Sequence, residues 1–374
     1  MLDSEQIKQE IDDVVDKYVS KNRGLLEEVE EYQESKDVIQ FIIEEDKIIN
    51  MYLSEVKIML ITANTTERDT LFSYFAPHSR FHIVKIYKNN ITYSFFKINN
   101  NKVVHIEPYG MGSYADGGVA TILKEAIDVV RPNVVIMVGV AYGANYKTNE
   151  IGDVLVGRQH FSYDKSTKIS NGKLGIKKLH VEEPDGYMVS RLKSNVNLEL
   201  KTKGKFGNAF SVIFGNMVTG EFVVDSVEIR NMIFSPFEPF GIIGGEMEAY
   251  GIFEEIKKYP NIHCILIKGI CDWGAGKNDE IAIKQKDSVD SDEKAKIEEN
   301  DFKIDDNISK ETSKKNYKNV FQTLAMANAC VVCNELLLDA AMYSDIEIDG
   351  SFKRFWRSGI GRIIKDHKVK EKFE

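Results

Sequence analysis

Cysteine is scarce, with four residues in 374, too few to cross-link a chain of this length into a disulfide framework. The one close pair, Cys330 and Cys333 in ANACVVCNELL, has no second Cys-x-x-Cys to complete a zinc site, and its apolar neighbours recur at helical spacing. Both read as thiols in a helix core, and neither a metal nor a cofactor is expected. Basic residues are in deficit too: 49 Lys and Arg stand against 58 Asp and Glu, a formal charge of -9. A surface that tracks phosphates shows a basic excess, so this balance argues against general nucleic-acid binding. Long apolar runs are missing as well. No run approaches the roughly 18 apolar residues of a membrane helix, and no transmembrane segment is expected. The acidic amino terminus MLDSEQIKQEIDD has no apolar signal core, so the chain reads as cytoplasmic.

What is present is globular material. An apolar fraction of 43% supports a sizeable core, enough for one large α/β domain with additions. Residues 1–52 read as a charged helical extension, with Ile7, Ile11, Val14 and Tyr18 on one face, a break at SKNRG, and a second helical stretch from Leu25 to Met51. Such a hairpin must bury its apolar face, either on its own core or as an arm for a second copy or another protein. VKIMLITAN is a buried strand by composition, followed by a helix TTERDTLFSYF with Thr65 or Thr66 near its cap. KIYKNN, ITYSFFKINNN and KVVHIEPYG predict a meander at the sheet edge. A glycine-rich turn and helix follow, then the strands NVVIMVGVAYGAN and GDVLVGRQHF. Ser162 to Lys205 is polar and reads as a surface connection with one exposed helix, Tyr187 to Glu199. FSVIFGNMVTGEFVVDS returns to the sheet, a Gly-Gly entry leads into a helix opening at Glu246, and Cys264 to Ile270 is the last buried strand. This order predicts an α/β fold, a mixed twisted sheet flanked by helices, over residues 53–342.

Local position then singles out candidate site residues. Asp272 lies just past the carboxyl end of the Cys264–Ile270 run, where open α/β sheets place their ligands. Glu67 falls in the first helical turn after the first strand, where the helix dipole alone would favour a carboxylate by about 0.3–1 kcal/mol. The turn around Gly110 and Gly112 leaves backbone N–H groups that could cradle an anion or a ribose, with glycine permitting close approach.

The succession VKIMLITANTTERD, YGMGS, VGVAYG, GDVLV, VTGEFVVDS, GEMEAYGI and KGICD resembles the purine nucleoside phosphorylase and methylthioadenosine/adenosylhomocysteine nucleosidase superfamily, over roughly Val56 to Leu338. Its most specific pieces are GEMEAYGI and KGICD, and the first strand with its TANxxE form looks closest to nucleosidase-like effector domains of bacterial antiviral defence. The resemblance implies a nucleoside phosphorylase-like fold and a set of roles. Asp272 matches the acid that protonates the departing purine, with Cys271 beside it. Glu248 matches the residue that binds the ribose hydroxyls, and Met247 the one that packs on the sugar. Val223 and Val224, with Phe222 adjacent, match the residues holding the base. Gly112 and Met111 stand in the glycine-rich turn of the substrate site, and Glu67 matches the carboxylate that activates water in the hydrolytic branch.

Those residue types suit the chemistry. An N-glycosidic bond breaks through an oxocarbenium-like sugar, so the base needs a proton, the diol needs a fixed partner, and a nucleophile must arrive from the far face. The implied reaction is hydrolysis of a purine (adenine) nucleoside or nucleotide such as AMP or ATP, depleting nucleotides in antiviral defence, by a homo-oligomer. Alternatives are phosphorolysis by inorganic phosphate and a non-catalytic nucleotide-sensing or scaffolding domain. No convincing set of arginines for free phosphate is visible, and Arg68, Lys147, Arg158 and Arg191 are candidates for a 5'-phosphate. Departures from the family are Thr62-Ala63 for Gly-Ala, Tyr142 for a small residue, and Lys268 for an arginine, placed either to orient Asp272 or to satisfy a carbonyl. Residues 279–316 are a polar insertion with too little apolar content to order itself, whether as a loop over the pocket or a plain insert. Residues 343–374 form a basic amphipathic tail, read as packing on the protein or its oligomer, or as meeting an acidic partner or membrane.

Overall fold

The computed structural model describes residues 4–34, 40–42, 56–75, 83–98, 101–110, 112–114, 117–170, 173–196, 201–275 and 306–339, with residues 34, 40–42 and 306–316 as backbone only. Met111, most of the polar insertion and the basic tail lie outside the described residues.

The chain opens with helices α1 (Ser4–Lys21) and α2 (Arg23–Glu34), followed by strands β1 (Gln40–Ile42) and β2 (Ile58–Ile61) and helix α3 (Thr65–Phe75). The meander β3 (Ile83–Lys88), β4 (Ile91–Ile98) and β5 (Asn101–Ile106) precedes helix α4 (Val119–Val130). Then come β6 (Val134–Gly143), β7 (Val154–Ser162), the short helix α5 (Tyr163–Ser166), a hairpin of β8 (Thr167–Ser170) and β9 (Lys173–Ile176), β10 (Val181–Glu182) and helix α6 (Gly186–Asn195). The last third holds β11 (Thr202–Lys203), β12 (Ala209–Phe210), β13 (Val212–Thr219), α7 (Val227–Phe234), β14 (Ile242–Glu246), α8 (Ala249–Ile256), β15 (His263–Asp272) and α9 (Asp306–Leu338).

One mixed sheet carries most of these strands, in the order β1-β3-β4-β5-β2-β6-β14-β13-β7-β10, with β15 bridging β6 and β7. Strands β6, β15, β7, β13 and β14 therefore close into a ring, each paired to the next. Side chains alternate across the pleat. Ile58 and Leu60 of β2 face a core shared with Leu71 and Phe75 of α3 and Met326 and Cys330 of α9. Met59 and Ile61 face the opposite core, shared with Ile122 and Leu123 of α4 and Ile252 of α8. Each such fully buried aliphatic contributes about 1.5–3 kcal/mol, so both helical layers are held by apolar burial. Helix α4 shows why the chain folds this way locally. Val119, Ile122, Leu123, Ala126, Ile127 and Val130 form one buried face. The helix ends at Arg131, which takes a left-handed φ of 52° and donates to the Ile127 carbonyl, and Pro132 follows.

Several expectations need correction. The segment Leu25–Met51 is not one helix: α2 ends at Glu34, and Gln40–Ile42 pairs in parallel with β3 at the sheet edge. The amino-terminal helices dock on their own core. Ile11 is buried, Tyr18 meets Phe321 edge-on, and the Gln33 amide donates to the Asn319 carbonyl. Val15, rather than Val14, joins Ile7, Ile11 and Tyr18 in that contact. Helix α6 ends earlier than expected and is exposed on one face only, since Met188 and Leu192 are fully buried while Ser190, Lys193 and Ser194 face solvent. Helix α3 begins at Thr65, beside the cap as expected, and the capping side chain itself is Asn64, which accepts from the Glu67 N–H at 3.0 Å. Helix α9 starts at Asp306, inside the segment read as unable to order itself. Its Tyr317–Leu338 portion is long and apolar enough to cross a membrane, against the expectation that no stretch is; 78% of its most apolar 18 residues are buried inside the fold, as in a core helix.

Candidate active site

Two groups of parallel strands meet at the site. Strands β2, β6 and β15 run one way, while β7, β13 and β14 are mutually parallel and run the other. Strands β6 and β14 overlap at their carboxyl ends through Gly143 with Gly244 and Tyr142 with Gly245, antiparallel. Carboxyl-terminal residues of both groups are thereby brought to one place, the position in which α/β sheets bind ligands.

Glu67 projects from the first turn of α3 into this junction and is 2% exposed. Its Oε2 accepts from the Ala63 N–H at 2.6 Å and its Oε1 from the Val140 N–H at 2.9 Å. Gly139 makes room, since a Cβ there would stand 2.9 Å from Oε1. Burial, only partly offset by Lys268 and reinforced by Glu248, pushes the carboxyl up to about 7 despite the two backbone donors. This is far more specific than a carboxylate favouring a helix dipole.

Glu248 stands between β14 and α8 and is also buried. Its Oε2 lies 2.9 Å from Lys268 Nζ, which in turn is 3.9 Å from Glu246 Oε2. Burial disfavours the charge on Lys268, but Glu248, Glu246 and Glu67 together outweigh it and hold the amine protonated. Burial raises the Glu248 carboxyl, with Lys268 opposing and Glu246 adding to the rise. Glu246 goes the other way. Burial works against its ionised form, and His160 and Lys268 more than offset it, keeping the carboxyl low. His160 Nδ1 is 3.9 Å from Glu246 Oε1, beyond the length of a direct hydrogen bond. The Glu246 Oε2 accepts the N–H groups of Glu248 and Ala249, each at 2.9 Å, and so fixes the start of α8. Lys268 is thus the counter-charge of the carboxylates, neither an orienter of Asp272 nor a partner for a carbonyl.

Asp272 ends β15, where a bulge at Cys271 shifts the register so that Asp272 opposes Tyr142. Bulges of this kind re-aim a side chain beside active sites. Its Oδ1 accepts from the Gly274 N–H at 2.7 Å, and the Cys271 thiol donates to Oδ2 at 3.1 Å. Glu67 is tied to β6 at Val140 and Asp272 opposes β6 at Tyr142, so their points of attachment on that strand are two residues apart, about 7 Å.

The remaining expected residues divide. Val224 is buried with Tyr142, Phe161 and Tyr163, and a Cβ on Gly274 would touch both Val224 and Tyr142. Val223 and Phe222 are 52% and 64% exposed, the latter stacked on Tyr163. Met247 is half-buried, and Gly112, at a φ of 90°, lies in the turn facing α8. Of the basic candidates, Arg68 pairs with Asp69 and Glu107, Lys147 with Glu10, and Arg191 with Asp339, while Arg158 is exposed.

Sequence reasoning missed Glu246, His160, Thr219 and the part played by Tyr142. Tyr142 Oη, Thr219 Oγ1, both His160 ring nitrogens and Glu246 Oε1 are buried with no hydrogen-bond partner among the described residues. Leaving such atoms unpaired costs about 1–3 kcal/mol each, which a structure tolerates where a ligand completes the set. The signal was present in IIGGE: read as a strand, it puts Glu246 at a carboxyl end as Asp272 is.

No protein-family model matches the sequence. In sequence the chain is 22% identical over 257 residues to a death domain-containing ATP nucleosidase of Amphimedon queenslandica, covering 63% of this chain and 46% of that protein. It therefore spans about half the length of this curated relative. Among solved structures, a methylthioadenosine/S-adenosylhomocysteine nucleosidase from Colwellia psychrerythraea in complex with adenine superposes with a TM-score of 0.53 at 16% identity, covering 76% of this chain and 95% of that one. The futalosine hydrolase of Helicobacter pylori gives 0.52 at 15% identity over 76% and 97%. The chain has the nucleosidase fold. It superposes on those enzymes across nearly their whole length, and α2 packs on α9.

Proposed function

We propose that this protein hydrolyses the N-glycosidic bond of a purine nucleoside or nucleotide, with adenine as the base. The observation that carries the reading is the Glu67 carboxyl, buried, gripped by two backbone N–H groups and raised to about 7, with one of those donors, Val140, on the strand β6 that also opposes Asp272. A general base works best when its pKa lies near the working pH, and Glu67 is so placed to take a proton from water.

In this mechanism Asp272 hands a proton to the purine as the bond to C1' lengthens, so the base leaves neutral. Glu248, held by Lys268, and Met247 position the ribose. Val224 packs against the base, with Val223 and Phe222 at its open side. Water, deprotonated by Glu67, captures the sugar cation, giving free base and ribose or ribose phosphate. The relation to an ATP nucleosidase supports an adenine nucleotide as substrate, and the TANxxE form of the first strand supports a nucleotide-depleting role in defence, in the cytoplasm and as a homo-oligomer.

Chromatography of products after incubation with adenosine, methylthioadenosine, AMP and ATP tests the proposal. Adenine released by wild type and not by Asp272→Asn is the expected result; no base from any substrate would end it.

A further inference from the structure

The glycine-rich turn that the sequence marked as an anion cradle already holds an anion, and it is the chain's own. Both carboxylate oxygens of Glu221 lie within reach of the Ser113 N–H, at 3.2 and 3.1 Å, and Oε2 is 3.4 Å from the Tyr114 N–H. Gly112 takes a φ of 90°, and a Cβ there would stand 2.5 Å from Glu221 Oε2. The positive φ favours glycine here, and the absence of a Cβ lets the Glu221 carboxylate approach the turn. Consecutive backbone N–H groups turned toward one point form a concavity suited to phosphate and other oxyanions.

The seat adjoins the sugar-binding end of the site. The Ser113 hydroxyl is fully buried, donates toward the Met247 carbonyl at 3.2 Å and accepts from the Gly251 N–H at 2.9 Å. It thus fastens the turn to the start of α8, the helix that Glu248 precedes. Glu221 itself belongs to the loop bearing Phe222, Val223 and Val224, and that loop is anchored separately: the Glu221 N–H donates to Asp164 Oδ2 at 2.7 Å, and the Phe222 N–H to the Tyr163 hydroxyl at 3.2 Å.

We propose that Glu221 is a specificity-determining residue: its carboxylate occupies the backbone oxyanion seat beside the ribose and keeps inorganic phosphate from it, leaving the sugar cation to water. The inference rests on the hydrolytic reading above. Its chemistry is exclusion. A second anion cannot share the Ser113 and Tyr114 N–H groups with a fixed carboxylate, because the donors are already used and the like charges repel. Removing the carboxylate leaves the same donors, on a turn still fastened by Ser113, open to a phosphate oxygen.

The test uses the full chain with Glu221→Ala and Glu221→Gln, with inorganic phosphate as the probe. Thermal unfolding is followed with and without phosphate at matched ionic strength. Glu221→Ala should gain about 2–4 °C at phosphate about ten times its dissociation constant, while wild type does not move. Adenine release is then followed in the same buffers. Phosphate should leave wild type unchanged and alter the variant's rate, by blocking the seat or by diverting the sugar to a pentose 1-phosphate visible by phosphorus NMR. A folded Glu221→Ala whose melting and turnover both ignore phosphate would overturn the proposal and leave Glu221 as a loop tether. If Glu221→Ala does not fold, Glu221→Gln serves for the same comparison, since it removes the charge but keeps the shape. The melting arm needs no turnover, so a wild type that releases no base would defeat the hydrolytic reading without being mistaken for a failure of this one.

Discussion

Lys268 Nζ stands 2.9 Å from Glu248 Oε2, with the lysine side chain wholly withdrawn from solvent and the glutamate nearly so. A buried charge is tolerated only when paired, and removing one partner costs about 3–5 kcal/mol. Lys268→Met should therefore lower unfolding free energy by about that amount in a denaturant titration. Lys268→Arg should retain most of the stability.

Glu67 sets a pH dependence in activity. With its carboxyl raised to about 7 by burial, the ionised base appears only as pH climbs through that value. Base release should rise through pH 7 in wild type, and Glu67→Gln should abolish the rise and lower the rate by about 10²–10⁴-fold. A rate profile from pH 5 to 9 for both proteins checks it.

The same group also acts on stability. Its folded value lies above the ordinary 4.5, so between about 4.5 and 7 the native state binds more of this proton than the unfolded chain does. The corresponding term falls as pH rises through that window, by on the order of 3 kcal/mol in all. Glu67→Gln, which cannot ionise, should flatten this part of the curve, while its NH2 turned toward one of the two backbone donors lowers stability about equally at every pH, as measured by urea titrations at several pH values.

Asp272→Asn removes the proton for the leaving base while keeping the shape of the β15 bulge. Turnover should fall by about 10²–10⁴-fold with KM little altered, measured as adenine release under steady state.

Gly269 lies where α9 presses closest to the sheet, and a Cβ there would collide with the Ala325 carbonyl. The obstacle is helix backbone, which cannot turn aside. Gly269→Ala should cost about 1–3 kcal/mol, seen as a lower thermal midpoint.

Much of this arrangement was legible in the chain because burial alternates along strands. VKIMLI, VVIMVGV and CILIKGI could only be buried strands, and they fix the carboxyl ends from which Glu67 and Asp272 are presented. Less visible was anything set by pairing across long separations. Gly244 and Gly245 looked like a helix entry, whereas they lie in β14 because the Tyr142 ring occupies the space a side chain on Gly245 would need. That error hid Glu246. Lys268 was noticed but given the wrong partner, since side-chain alternation along β15 does not reveal which carboxylates a neighbouring helix start brings to it. The charge-poor face of α6 was too short to stand out within a lysine-rich stretch, so its burial went unread.

The head-on overlap of β6 and β14 through two residue pairs has a consequence for biosynthesis. Strand β6, whose Val140 N–H holds Glu67, is made early, but β14, which meets it at Gly245, and β15, which ends in Asp272, emerge much later, and α9, which covers β15, later still. A ribosome stalled before α9 holds a polypeptide that already carries Glu67, Glu248 and Asp272 but lacks the helix that packs on β15 and β6. The junction that gathers Glu67, Glu248 and Asp272 is thus completed only once α9 has been made.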